Sequence, residues 1–222
     1  LDWRAQQTVF EDLAAFYTGT VNLGGDERPE RYFGAFLTAN AWDVLGIRPL
    51  LGRGFLPGED RPEAPPVVLL AHSVWQARYD GDPAIVGRTV RVNGRPTTVV
   101  GVMPPGFAFP YWEDVWLPLQ VDPLATERGG GPGLEVFGRL GQGRTLEQAR
   151  TELAGISARL AAAYPATNEN LQAFVEPYID SYHGDDAGLA ATFFVGFGLA
   201  VLLIACFNVA HLLLAQAVTQ TR

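Results

Sequence analysis

Asn208 and His211 are polar residues in an unusual place. They lie three positions apart in a stretch, Gly188 to Gln220, that contains no Asp, Glu, Lys or Arg. On a helix they share one face with Ala200, Ile204 and Ala215, because positions three and four apart are neighbours. Polar groups surrounded by hydrocarbon turn toward a bundle interior. The pair therefore reads as hydrogen bonding to neighbouring helices, with a proton relay as the sharper alternative. Gly196 and Ala200, four apart, add a small-residue patch for close helix packing. Just upstream, Asp180, His183, Asp185 and Asp186 combine carboxylates with an imidazole, donor types that suit several divalent ions. Their spacing matches no established ligand motif, so they read as a polar joint ahead of the apolar run.

Other reactive residue types give less. His72 and Ser73 are adjacent on a predicted helix and point in different directions, poor geometry for a base and its nucleophile; Ser73 reads as a residue near the helix N-cap. Glu59, Asp60 and Glu63 read as a solvated loop. Arg88, between Gly87 and Thr89, is expected to order the base of a hairpin by hydrogen bonding, with ligand binding as the alternative. The sixteen basic residues are all Arg. A phosphate-binding P-loop needs a Lys, and so does Schiff-base chemistry; this chain supports neither. No catalytic residue, metal site or cofactor is expected, and any ATP must be bound by another chain. A formal net charge of −8 with no basic cluster excludes nucleic acid as the expected partner. The single cysteine, Cys206, lies in the apolar run and reads as a small packing residue.

The elements that would carry these residues follow from pattern. Residues 13–38 read as a β-hairpin, Asn40 as the cap of a short helix, and 48–66 as an ordered surface loop. Val67–Leu70 reads as a strand and His72–Tyr79 as an amphipathic helix ended by Gly81-Asp82-Pro83. Thr89–Met103 carries the strongest local signal: alternating valines on either side of Asn93-Gly94, the pair a type I′ turn prefers. Asp114–Leu119 reads as a strand, with Pro118 placing it at an edge or an end. Residues 122–133 read as a Gly-rich loop and Leu134–Leu140 as a strand. Thr145 and Gln148 fit a capping box. They open a helix with an apolar stripe at Leu146, Ala149, Leu153, Ile156, Leu160 and Ala163, closed by Pro165. Leu171–Ile179 reads as a further strand, which completes a strand–helix–strand unit.

Leu189–Phe207 is a nineteen-residue run whose one polar member is Thr192. About eighteen apolar residues suffice to cross a bilayer as a helix. Aspartates precede the run and Arg222 follows it, which orients the N-terminal domain outside the cytoplasm. Tyr182 stands where an interfacial aromatic belongs. Leu1 opens without a basic or apolar leader, so the chain reads as a fragment of a longer membrane protein.

Residues 75–110, WQARYDGDPAIVGRTVRVNGRPTTVVGVMPPGFAFP, resemble the extracytoplasmic core domain of MacB-type ABC transporter permeases. So do LDWRAQQTVFEDLAAF and VLGIRPLLGRGF upstream. LAVLLIACFNVAHLLLAQA resembles the second membrane helix that opens the FtsX-like permease region, and the likeness is greatest to orphan permeases without a fused ATPase. The resemblance implies an α+β fold: a porter-like βαβ lobe and a mostly β lobe, followed by a C-terminal transmembrane helix. Residues 1–186 would be the core domain lacking its first strand and helix, 187–218 the membrane helix, and 219–222 the cytoplasmic end. It further implies a cytoplasmic ABC ATPase partner, a bilayer of the bacterial inner membrane, a homodimer or pseudo-dimer, and a periplasmic adaptor. The implied activity is mechanotransmission: ATP-driven motion moves peptide, lipoprotein or drug cargo already outside the membrane. A single-span sensor or ligand-binding module and an anchored hydrolase are the rival readings.

Overall fold

The computed structural model describes residues 2–24, 29–121, 127–183, 192–207 and 210. It divides into a unit ending at Val175 and a second unit starting at Glu176. In the first unit the elements are α1 (Asp2–Gln6), β1 (Phe10–Gly24), β2 (Glu30–Leu37), α2 (Ala41–Leu45), β3 (Leu51–Gly52), β4 (Val67–Leu70), α3 (His72–Tyr79), β5 (Thr89–Val92), β6 (Arg95–Val102), β7 (Val115–Pro118), β8 (Glu135–Leu140), α4 (Leu146–Ala163) and α5 (Pro165–Asn168). The second unit contains α6 (Tyr178–His183) and a helical stretch over 192–207. The α+β class expected from the sequence is the class observed.

β1 and β2 form the expected hairpin, antiparallel from Phe16–Leu37 to Leu23–Glu30. β2 then pairs in parallel with β7, β7 antiparallel with β4, and β4 in parallel with β6. β6 pairs antiparallel with β5, and β5 returns to β1 through Leu23–Val92 and Gly24–Arg91. The six strands β1, β2, β7, β4, β6 and β5 thus close a ring. β3 attaches to β6, and β8 attaches to the first half of β1. Strand β1 serves both parts because its buried positions change parity: Ala14 and Phe16 in one half, Val21 and Leu23 in the other. Successive strand residues point to opposite faces, so the two halves bury opposite faces of one strand.

Contiguous apolar character explains the ring's centre. All four residues of β4 (VVLL) are buried, as befits a strand covered on both faces. Trp116 of β7 is fully buried, and its Nε1 donates to the Phe109 carbonyl at 2.6 Å, so the indole leaves no orphaned donor. Gly34 of β2 has no room for a side chain: a Cβ there would stand 2.4 Å from Val21 Cγ2. The β5–β6 turn is the expected one, with Asn93 at φ 49° and Gly94 at φ 80°. β7 lies between β2 and β4, inside the sheet. Pro118 is its last residue, so the missing N–H interrupts no interior pairing.

The capping box of α4 forms as expected: Thr145 Oγ1 accepts from Gln148 N, and Gln148 Oε1 accepts from Thr145 N. The stripe is buried at Ala149, Leu153, Ile156 and Leu160. α4 ends at Ala163, with Tyr164 as its C-cap, so the helix closes ahead of Pro165 as expected; Pro165 itself opens α5, at a first-turn position that needs no N–H. Two expectations fail. The strand over Leu171–Ile179 is absent: residues 171–177 carry no regular structure and α6 begins at Tyr178. Its backbone groups are engaged elsewhere, with Leu171 N donating to Asn168 O and Val175 O accepting from Arg150 Nε. The βαβ unit therefore lacks its second strand. Asn40 precedes α2 but makes no side-chain cap; its Nδ2 donates to Asp12 Oδ2 and Leu13 O. These bonds tie the amide to β1, and its Oδ1, the atom a cap would use, accepts nothing from the α2 N-terminus.

Candidate functional site

Of the residues singled out by sequence, Ala200 and Ile204 lie in the helical stretch 192–207, both exposed, whereas Asn208, His211 and Ala215 lie outside the described residues. Asp180 and His183 belong to α6, so the expected joint begins as a helical turn; Asp185 and Asp186 lie outside the described residues. Among the described residues no helix is long and apolar enough to cross a membrane, and no cluster of three metal-ligating side chains forms. His72 packs edge-on against Trp75 with ring centroids 5.3 Å apart. Ala71 is the N-cap of α3, and Ser73 lies near it, in the first turn, as expected. Glu59 and Asp60 are structural acceptors rather than merely solvated charges. Glu59 receives both guanidinium nitrogens of Arg53, and Asp60 receives Ala39 N.

Charged clamps join the parts of the first unit. Glu152 of α4 accepts three hydrogen bonds, from Thr8 N, Thr8 Oγ1 and Val9 N, at 2.8 to 2.9 Å. It thereby fixes the entry to β1. Arg139 of β8 donates through Nε and one terminal nitrogen to the Val44 carbonyl at the end of α2. Asp12 receives Arg4, Asn40 and Leu13 N. Burial pushes the Asp12 carboxyl up, but these donors outweigh it and hold the group below its ordinary value. Glu113, buried ahead of β7, moves the other way. Burial raises it, Tyr111 N offsets part of the rise, and the neighbouring Asp114 and Glu135 add to it.

Two recesses open on the ring. A cavity of about 200 Å³ draws its walls from every ring strand, with Tyr17, Phe36, Leu117, Val67, Thr97 and Val92 contributing in turn. Tyr17 and Phe36, cross-strand partners, stack at 4.5 Å within it. The second is an open groove of about 590 Å³ along β5 and the end of α3, lined by Arg78, Tyr79, Asp80, Asp82, Arg88 and Arg91 among others. Arg88 orders the hairpin base through its backbone: its N donates to Ile85 O and its O accepts from Val99 N. Its guanidinium lines the groove. Sequence reasoning missed the groove because it needs α3 and β5 side by side.

The family model of the MacB-like periplasmic core domain matches residues 2–156. The chain belongs to this family, whose members form the extracytoplasmic region of MacB/FtsX-like ABC transporter permeases. Solved structures share the fold at low identity. The periplasmic region of MacB from Actinobacillus actinomycetemcomitans is 15% identical with a TM-score of 0.55, over 74% of this chain and 72% of that one. A domain of a putative permease from Porphyromonas gingivalis is 16% identical with a TM-score of 0.53, over 79% and 73%. The extracellular domain of the noncanonic ABC-type transporter YknZ from Gram-positive bacteria is 14% identical with a TM-score of 0.55, over 79% and 87%. Among curated proteins none matches.

Proposed function

We propose that this chain is the outer domain and membrane connection of an export permease that works by mechanotransmission. The match of the core-domain family over residues 2–156 carries the reading. A cytoplasmic ABC ATPase on a partner chain would supply the energy, in keeping with a sequence that holds no Lys for a P-loop. The domain itself would do no covalent chemistry. The apolar run Leu189–Phe207 would cross the bacterial inner membrane, placing residues 1–186 outside. The described part of the run, 192–207, is helical and exposed throughout, and such a surface suits hydrocarbon. A dimer of permeases and a periplasmic adaptor complete the assembly.

In this mechanism closure of the ATPase moves the membrane helix, and the Asp180–Asp186 joint tilts the outer domain. A joint of seven residues is short enough to transmit displacement that a floppy tether would lose. Inserting a long Gly/Ser linker after Asp186 is expected to abolish transport while assembly with the ATPase continues. Retained transport overturns the coupling.

A further inference from the structure

The chain leaves the first unit at Val175, on its way to the apolar run Leu189–Phe207. Val175 is joined to α4 by more than the backbone. Arg150, in the second turn of α4, donates from Nε to the Val175 carbonyl at 2.9 Å. Glu147, three residues earlier, receives another nitrogen of the same guanidinium and holds the side chain in place. Ala173 and Val175 also pack, partly buried, against Leu153, Ile156 and Leu160 of α4. Residues 164–175 therefore fold back along α4, from its C-terminal end at Ala163 to its N-terminal part at Arg150.

This return decides where a load enters. With the bond made, a pull arriving at Val175 acts on α4 at Arg150. Glu152 stands two residues on, about 200° round the helix and so on the opposite flank. It accepts from Thr8 N, Thr8 Oγ1 and Val9 N. Arg159, seven residues further along that flank, donates to Gln6 Oε1 at 3.3 Å. One flank of α4 thus holds the way out of the unit, and the other holds the entry to β1, which runs from Phe10 to Gly24 into the ring. With the Arg150 bond broken, the same pull must first draw out residues 164–175. Twelve residues extend to about 40 Å, several times a one-turn helix shift of about 5.4 Å. Little resists that extension: α5 buries no residue, and Tyr164 at its head is held by the Arg128 guanidinium, 3.8 Å from the ring centroid.

We propose, on the mechanotransmission reading above, that Arg150 is the grip through which displacement of the membrane helix enters the outer domain: its bond to the Val175 carbonyl hands the load to α4, and Glu152 hands it to β1. Arg150 is a positioning residue. It keeps the path from Val175 to Thr8 short, so that a stroke of a few ångströms reaches the ring before residues 164–175 can absorb it. Because its side chain is exposed, its weight falls on the path and little on global stability.

The test pulls the purified full chain, in detergent, in an optical trap. Handles sit on two cysteines, Glu176→Cys beside Val175 and Arg95→Cys in the ring, with Cys206→Ser to remove the natural thiol. In this background the trace is expected to stay taut until α4 or the ring opens. Arg150→Ala is expected to add an earlier step, at lower force, of up to about 40 Å. Arg150→Lys, which keeps a cationic donor for the carbonyl, is expected to restore part of the force. Urea midpoints of the three chains are expected to agree closely, which separates a change of path from a loss of fold. An identical first step in Arg150→Ala overturns the grip. So does a first step of that length at equally low force in the background chain, a result that needs no folded variant. In the transporter assembled with its ATPase, Arg150→Ala is expected to lower transport while ATP hydrolysis continues. Unchanged transport there overturns the grip alone; retained transport after the linker insertion at Asp186 overturns the coupling and the grip together.

Discussion

The ring and the α4 layer are built on the same strand yet held by different means. The ring buries a continuous cluster that runs from Val21 and Leu23 through β4 and β6 to Trp116. Beneath α4 the cluster is Leu153, Ile156 and Leu160, with Trp3, Phe10, Ala173 and Val175 partly buried against them. The α4 layer makes up for its small core with the Glu152 clamp on Thr8 and Val9, while Arg139 of the neighbouring β8 grips Val44. Apolar burial scales with area and resists loss of any one contact; a charged clamp concentrates its contribution in a few atoms. The difference teaches where motion is cheap. Regions with few buried apolar contacts open at lower free energy than the global core, so the α4 layer is expected to open first and the ring last.

The contrast is tested most strongly at its stable end. Trp116→Ala is expected to cost the fold about 3–5 kcal/mol, read as a lower urea midpoint, because it empties the ring's centre and removes the indole donor to the Phe109 carbonyl. Ile156→Ala is expected to cost about 2–4 kcal/mol. Amide exchange should speed up along α4 while β4 and β6 stay protected. Equal acceleration in both would mean that ring and layer are one cooperative unit. Glu152→Gln is expected to cost about 1–2 kcal/mol, with the Thr8 and Val9 amides as the reporters; unchanged exchange there would remove the clamp from the account.

The smallest effect concerns pH. The Glu113 carboxyl is raised from its ordinary value of 4.5, first of all by burial. A group raised in the fold contributes stability that is fully present below the ordinary value and lost as pH rises through the folded value. Glu113→Gln is therefore expected to stabilise the chain slightly at pH 7 and to have little effect at pH 4. Asp12, held low by its donors, acts with the opposite sign in acid, so the comparison is the difference between variant and natural chain at each pH. A variant less stable at pH 7 would show that the buried charge is needed.

Local chemistry carried the parts of the fold that are local. Asn93-Gly94 announced its turn, Thr145 and Gln148 their box, and the apolar spacing its helix. Long-range pairing was beyond the pattern: closure of the ring depends on two residue pairs between β1 and β5, far apart in sequence. Leu171–Ile179 misled because alternating apolar residues fit a strand, whereas its backbone found partners in Asn168 and Arg150. Asn40 misled because its Nδ2 is tied to Asp12 and Leu13 of β1, and with the side chain so held its Oδ1 accepts nothing from α2. The family was legible from residues 75–110, but the Arg88 groove was not, since α3 and β5 meet only once the ring has formed.

The length of β1 has a mechanical meaning. Ladder hydrogen bonds lie across the strands, so a load along the axis of β1 puts its bonds to β2 and β8 under shear, all strained together. A load across that axis peels them one pair at a time, and among the described residues the seam of β1 to β5, Leu23–Val92 and Gly24–Arg91, offers fewer pairs than its seams to β2 and β8 and parts first. Tension drawn lengthwise through β1 would thus be carried intact from the α4 layer to the ring, while a sideways load would spend itself opening the seam.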